Sequence, residues 1–160
     1  LMNIDTRNKI LSIVLGIVII ALTWLLYDSI ITPYQEVVER EAMTEKVRDR
    51  LTTIRDVLIQ YELRNGKFPP AEGGLDSVVY FIQTDSLLMN AQDSLLTYTT
   101  GETYNLDQLT YSPRDQQRFK YAVNDTIRPP LYLLEDPSED SNDAIGSLSR
   151  TTMRNAPTWN

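Results

Sequence analysis

The most distinctive pattern in the chain is an uncharged apolar run near its start, "ILSIVLGIVIIALTWLLY", which covers residues 10–27. A helix rises about 1.5 Å per residue, so these residues span roughly 27 Å, close to the thickness of a bilayer core. We therefore predict a transmembrane helix over residues 10–31. The alternatives are a cleaved signal peptide and a buried core helix, but no small-x-small cleavage pattern follows, since residues 25–34 read "LLYDSIITPY".

The residues that flank this run predict its orientation. Arg7 and Lys9 precede it, Trp24 and Tyr27 stand at its far end, and the first basic residue beyond it is Arg40. Basic residues favour the cytoplasmic side, and amphipathic rings favour the membrane interface. Arg7, Lys9, Trp24 and Tyr27 are therefore predicted to lie at the membrane interface, with the N-terminus in the cytoplasm.

A second helix is predicted directly after the apolar run. The sequence Thr32-Pro33-Tyr34-Gln35 has the form of a capping box with proline at the first helical position. Because proline lacks a backbone donor, we expect a kink or a short break in the helix around residues 31–32. Asn65-Gly66 supplies a stop signal at the other end, and the prolines that follow prevent continuation.

The far half of this second helix carries an apolar stripe with alternate spacings of four and three residues, which places the stripe on one face. Its members are Val47, Leu51, Ile54, Leu58 and Tyr61. The favoured interpretation is that the stripe packs into a domain core. An intermolecular coiled-coil seam is the alternative, because the heptad pattern is too short to decide.

The next part of the chain, residues 67–137, predicts a small α+β head. Residues 75–82 have helical spacing, and residues 95–100 are rich in strand-forming residues. The clearest strand is 118–123, where aromatic and branched side chains alternate with Arg, Lys and Ala. Residues 131–134 supply a return strand, so a short antiparallel sheet is expected.

An acidic segment, "EDPSEDSND", follows at residues 135–143 and contains five carboxylates. The favoured interpretation is a solvated loop, since the glycine and the terminal glutamate of an EF-hand are absent from the corresponding positions. A calcium site is the alternative, with Asp136, Asp140 and Asp143 as candidate ligands.

The last segment, residues 144–160, is polar and is predicted to be a disordered tail or an extended arm that a partner orders. Trp159 is its expected anchor, because buried Trp and Arg side chains dominate protein interfaces. Met153 and Arg154 are the other two candidates for partner binding.

The amino-acid composition excludes several classes of function for this protein. The chain has no Cys and no His, so thiolate nucleophiles, disulfides and Cys or His metal ligands are excluded. It carries 22 acidic against 15 basic residues, a net charge of -7, which repels nucleic acid. No pair of carboxylates is isolated in an apolar stretch for acid–base work. We therefore predict no enzyme activity, no cofactor and no nucleic-acid partner.

Residues 52–82, "TTIRDVLIQYELRNGKFPPAEGGLDSVVYFI", carry a family resemblance. The matching residues are Tyr61, Asn65, Gly66, Lys67, Phe68, Pro69, Gly74 and Leu75. The segment resembles the major pseudopilins of type II secretion and related type IV pilin-like proteins. The resemblance implies an anchored helix that carries a small extracytoplasmic α+β head. Residues 1–14 contain neither the Gly before Phe or Met nor the Glu that form the prepilin cleavage motif.

These patterns together predict a non-catalytic, single-pass subunit of a multiprotein bacterial envelope complex in the inner membrane. Its periplasmic head is expected to dock on integral membrane and extracytoplasmic protein subunits. One form of this hypothesis is a pilin-like subunit. The alternative is an accessory structural subunit of a respiratory or photosynthetic, reaction-centre type complex. The predicted segments are a cytoplasmic N-terminus (1–9), a transmembrane helix (10–31), a stalk helix (32–66), the head (67–137) and an acidic loop with an extended C-terminal arm (138–160).

Overall fold

The computed structural model describes residues 4–159, so the first three residues of the predicted cytoplasmic segment and the last residue of the arm lie outside the described residues. The predicted α+β class, with a long N-terminal helix and a short antiparallel sheet, is confirmed. The helices are α1 (Ile4–Asn65), α2 (Gly74–Thr84), α3 (Ser86–Asn90) and α4 (Gln92–Leu95). The strands are β1 (Lys120–Asn124), β2 (Leu131–Glu135) and β3 (Ala144–Gly146), and short 3-10 turns cover Leu106–Gln108 and Thr151–Met153.

The first helix, α1, is continuous, and Pro33 lies inside it. The short break expected around residues 31–32 was therefore wrong, while the alternative, a kink, stays a prediction. Proline removes one backbone hydrogen bond, and the helical ladders on both sides of it are long enough to sustain the helix. By length and composition, α1 can cross a membrane, and none of the side chains in its apolar window is buried within the chain.

The chain divides into two units, the N-terminal unit (Leu1–Ala42) and the C-terminal unit (Met43–Asn160). The described part of the N-terminal unit is a single helical segment whose apolar side chains face outward. The C-terminal unit contains the rest of α1 and every other described helix and strand. Its boundary therefore falls before the apolar stripe, inside the segment predicted as a stalk.

The apolar stripe of α1 forms one wall of the core of the C-terminal unit. Val47, Leu51, Ile54 and Leu58 are fully buried. Tyr61 makes an edge-to-face contact with Phe81 of α2, with 5.2 Å between the ring centroids. Buried residues of α2 contribute the facing layer: Leu75, Val78 and Ile82. The core interpretation is thereby confirmed, and no exposed seam is left for a coiled coil.

The predicted stop of α1 is confirmed in its geometry. Gly66 has a φ of 72°, in the left-handed region that glycine tolerates best. Its N–H donates to the Glu62 carbonyl at 2.7 Å, which satisfies one of the last helical acceptors. Phe68 then turns into the core and contacts the ring of Tyr132 edge to face, with 4.9 Å between centroids.

The predicted hairpin is also confirmed. β1 and β2 pair antiparallel, with Tyr121 opposite Leu134 and Val123 opposite Tyr132. The Asn124 side chain accepts hydrogen bonds from the N–H and hydroxyl of Thr126, and so begins the connecting loop. β2 is the central strand, because β3 pairs along its other edge.

The predicted strand at residues 95–100 was wrong. α4 ends at Leu95, and the following residues form a tight turn with a single bridge between Thr97 and Thr103. The Tyr98 N–H donates to Glu102 and the Gly101 N–H donates back to Tyr98. The chain reverses at this turn before a ladder can extend. The strand-forming side chains serve the core instead, as Tyr98 is buried.

The buried phenol of Tyr104 gives the protein an alkaline limit. Burial raises its pKa to about 12, against an ordinary value of 10.0. The folded state thus holds this proton more tightly than the unfolded chain. The stabilisation is intact below pH 10 and is lost as the pH rises towards 12. We expect the melting temperature to fall across this interval. The phenolate absorbance of Tyr104 near 295 nm should appear only towards the upper end of the same interval. The melting temperature of a Tyr104→Phe variant should fall less steeply with pH. An identical fall in both proteins would contradict the assignment of this effect to Tyr104.

Candidate functional site

The four predicted membrane-interface residues all lie on α1 within the N-terminal unit, and all are exposed. Arg7 and Tyr27 are about 30 Å apart along the helix axis, at about 1.5 Å per residue. Trp24 and Tyr27 are three positions apart and so share one face of the helix. The arrangement places basic residues at one end of the apolar surface and aromatic rings at the other.

The acidic segment is less solvated than the sequence predicts. Glu139 and Asp140 are exposed, but Asp136 and Asp143 are buried. The Asp136 N–H donates to the Asp143 carbonyl at 2.9 Å, which closes the loop between them. The prediction of a solvated loop was therefore wrong for these two carboxylates.

Arginines from distant parts of the chain explain the burial of the two carboxylates. The Asp143 carboxylate accepts a hydrogen bond from Arg48 Nε at 3.0 Å, and a second guanidinium nitrogen of Arg48 lies 2.9 Å away. Arg114 Nε lies 3.6 Å from Asp136 Oδ2. Arg48 is on α1 and Arg114 is in the turn before β1, so local sequence gives no sign of either pairing.

The calcium prediction concerns this same loop. Asp136 accepts no side-chain hydrogen bond from the described residues, and a recess of about 410 Å³ lies beside the loop. Asp140 is exposed, whereas the other two candidate ligands are buried against arginines. Within residues 4–159, no group of three or more acidic side chains is placed to hold a metal ion. Calcium binding stays a prediction.

The C-terminal arm is ordered by its own chain. β3 pairs with β2, and Ile145 forms a bridge with Pro157. The Gly146 N–H donates to Ala156 at 3.0 Å, and the Thr158 N–H donates to Ala144 at 2.9 Å. The predicted alternatives, disorder or ordering by a partner, were therefore wrong for the described residues. The strand is only three residues long, too short to show a periodic pattern.

The three partner-binding candidates make contacts within the C-terminal unit. Trp159 packs against the core, and the Arg48 guanidinium lies 5.2 Å from its ring. Arg154 donates to the Pro130 carbonyl at 3.0 Å and pairs with Glu62. Met153 is half-buried in the turn before Arg154. Partner binding by these residues stays a prediction, and the contacts of Trp159 and Arg154 give both a role in the fold.

Arg154 should hold the arm on the C-terminal unit. An Arg154→Met variant keeps much of the apolar stem, but it loses the pairing with Glu62 and the hydrogen bond to Pro130. We expect a loss of about 2 kcal/mol in the free energy of unfolding, since both interactions are partly buried and charge-assisted. Arg150→Met is the matched control, because Arg150 is exposed. Equal denaturation midpoints for the two variants would contradict a stabilising role for the contacts of Arg154.

A buried arginine of the C-terminal unit, Arg50, was not predicted from the sequence. Arg50 is 5% exposed and donates three hydrogen bonds of 2.7 Å, to the Tyr98 hydroxyl and to the carbonyls of Gln108 and Tyr111. Its guanidinium carbon lies 4.7 Å from the centre of the Tyr104 ring. The signal was present, because Arg50 lies three residues after Val47 and so shares the buried face of α1.

Comparison with known proteins adds no relative to this picture. No protein-family model, curated protein or solved structure matches the chain. The function is therefore argued from the residues of this chain.

Proposed function

We propose that this protein is a non-catalytic, single-pass subunit of a multiprotein bacterial envelope complex. The observation that carries the proposal is the apolar surface of α1 over residues 10–27, which nothing in the described chain covers. Leu22 and Ile20, for example, are 60% and 71% exposed. Apolar side chains in such numbers favour a lipid surround over water, at about 25 cal/mol for each Å² removed from water.

The C-terminal unit supports the second half of the proposal, a docking role. It has a continuous core of its own, built from α1, α2 and the sheet. The buried carboxylates found in this unit, Asp85, Asp136 and Asp143, are each paired with an arginine. An arginine beside each of these carboxylates is typical of structural ion pairs, which supports a non-catalytic role for them. A folded module on a membrane anchor is suited to binding other subunits.

The flanking charges support an orientation. Arg7 and Lys9 stand before the apolar surface, and the C-terminal unit carries 17 acidic against 12 basic residues, a net of -5. The positive-inside tendency then favours a cytoplasmic N-terminus and a periplasmic C-terminal unit. An acidic module also avoids the anionic surface of the membrane.

Membrane extraction and cysteine labelling test this proposal. The natural chain has no cysteine, so a single introduced one is a unique label. We expect the protein to stay in the membrane pellet after alkaline carbonate. An Asp125→Cys variant should react with an impermeant maleimide once the outer membrane is opened, whereas Asn8→Cys should react only after lysis. Release by carbonate, or the reverse labelling pattern, would contradict the proposal.

A further inference from the structure

Two recesses lie side by side on one surface of the C-terminal unit. The first, of about 650 Å³, lies between the last turns of α1 and α2, and the second, of about 350 Å³, lies between α1 and the short helices α3 and α4. Aromatic residues Tyr61, Tyr80 and Phe81 line the first recess. Aliphatic residues line most of the second: Val57, Leu87, Leu88, Ala91 and Leu95. We call this surface the two-recess face.

A fixed ion pair forms the ridge between the recesses. Arg64 and Asp85 line both, and Arg64 Nε lies 3.0 Å from Asp85 Oδ2. The Asp85 side chain is buried, and its other oxygen accepts the N–H groups of Leu87 and Leu88 at 3.0 and 3.2 Å. The ridge is therefore anchored at the first turn of α3.

Exposed apolar side chains contribute to the walls of both recesses. In the described part of the C-terminal unit, the exposed large hydrophobic residues are Leu63, Tyr80, Leu87, Met89 and Tyr111. All except Tyr111 lie on the last turn of α1, on α2 or on α3. Leu63, Tyr80 and Leu87 are each two-thirds exposed or more. Of these, Tyr80 lines the first recess and Leu87 lines the second. Exposed apolar side chains at a recess are typical of a protein-binding face.

Charge decides which occupant fits. The walls of the two recesses carry three carboxylates, Asp56, Asp76 and Asp85, against the single guanidinium of Arg64. The side chains of Asp56 and Asp76 are 53% and 70% exposed, and their arginine partners lie outside the recess walls. Exposed ion pairs are weak, so an incoming cation can replace the internal partner at little cost.

We propose that the two-recess face is the docking site for a segment of a partner polypeptide that places one large apolar side chain in each recess. Lys or Arg residues of that segment face Asp56 and Asp76. The inference rests on the proposed function, since it assigns the docking surface of the same subunit. A second copy of the chain fits poorly, because two units of net charge -5 repel each other, and anionic lipid is repelled for the same reason.

Photo-crosslinking from single positions tests the assignment. The full chain, made in its own cells, carries a benzophenone amino acid in place of Tyr80 or of Leu87, and in place of Tyr111 as a control outside both recesses. Crosslinked peptides are then sequenced. We expect Tyr80 and Leu87 to reach one partner polypeptide, within one segment that contains large apolar and basic residues. Tyr111 should give no product with that segment.

Charge reversal then tests the role of the carboxylates. An Asp56→Lys/Asp76→Lys variant should lower the crosslink yield about tenfold, for about 1.4 kcal/mol of lost attraction. Asp125→Lys is the control, because Asp125 is exposed and lines neither recess. Circular dichroism melting shows whether each variant is folded. Acidic replacements of the basic residues in the crosslinked segment should restore the crosslink yield of the double variant.

Three results would overturn the docking site. Crosslinks from Tyr80 and Leu87 that reach lipid or a second copy would replace the proposed occupant. A partner captured from Tyr111 but not from the recess positions would leave the proposed function standing and place docking elsewhere. The absence of protein crosslinks at all three positions, in membranes that retain the chain, would count against both proposals.

Discussion

An Arg50→Met variant should lose about 3 kcal/mol in the free energy of unfolding, and its melting temperature should fall by about 10 °C. The guanidinium is buried and donates to one hydroxyl and two carbonyls, all at 2.7 Å. Methionine fills much of the volume but donates nothing, so three acceptors lose a charge-assisted donor. The loss is smaller than three separate hydrogen bonds, because the cost of burying the charge also disappears.

Arg55→Met is the matched control for this change. Arg55 is also on α1, but its contact with Asp56 is an exposed ion pair. Pairs of this kind contribute about 1 kcal/mol or less. Chemical denaturation of both variants should give a much lower midpoint for Arg50→Met only. A small, equal change in both would show that the hydrogen bonds of Arg50 do not stabilise the fold.

A Gly146→Ala variant should be the most damaging single-methyl change in the C-terminal unit, at about 4 kcal/mol. Gly146 has a φ of 92°, and a Cβ there would lie 2.3 Å from the Tyr132 carbonyl oxygen of β2. Neither backbone can move freely, because β2 and β3 are paired at this point. The strain should separate β3 from the sheet and release the arm, measured as faster proteolysis after β2 and as a lower melting temperature.

Gly101→Ala separates the two causes of this effect. Gly101 has a φ of 88°, similar to that of Gly146, but no atom lies within 4 Å of the position that an alanine Cβ would occupy. The Gly101→Ala variant should therefore show the cost of backbone strain alone, a loss of about 1–2 kcal/mol in the free energy of unfolding. Equal losses for the two variants would mean that the close approach of β3 to β2 does not constrain the fold.

Periodic patterns predicted most of the fold correctly. The stripe on α1, the short helix at 75–82 and the β1–β2 hairpin each repeat with a helical or strand period, so local sequence was sufficient. The stop at Asn65-Gly66 was equally clear, because glycine tolerates the left-handed geometry that ends a helix there. The short break predicted from Pro33 is absent, because the long helix around this proline tolerates the loss of one hydrogen bond.

Pairings between distant residues could not be predicted in the same way. Asp143 and Arg48 are 95 positions apart, and the burial of the acidic loop depends on their contact. β3 is three residues long and is held by β2 and by residues 156–158, so it has no periodic signal of its own. Arg50 did leave a signal, since a charged residue on an apolar helix face requires buried partners.

We propose that a membrane-anchored chain docks its C-terminal unit on other subunits. Gentle detergent extraction from native membranes, with a tag on the N-terminus and mass spectrometry of the co-migrating proteins, tests it most directly. We expect an assembly that retains the tag and contains integral membrane or extracytoplasmic proteins in a fixed ratio. Pigment- or haem-bearing subunits in the assembly would favour an accessory subunit of a respiratory or photosynthetic complex. Secretion proteins would favour a pilin-like subunit. A tagged chain that migrates alone, or a C-terminal unit found without its tag in the soluble fraction, would contradict this role in a membrane complex.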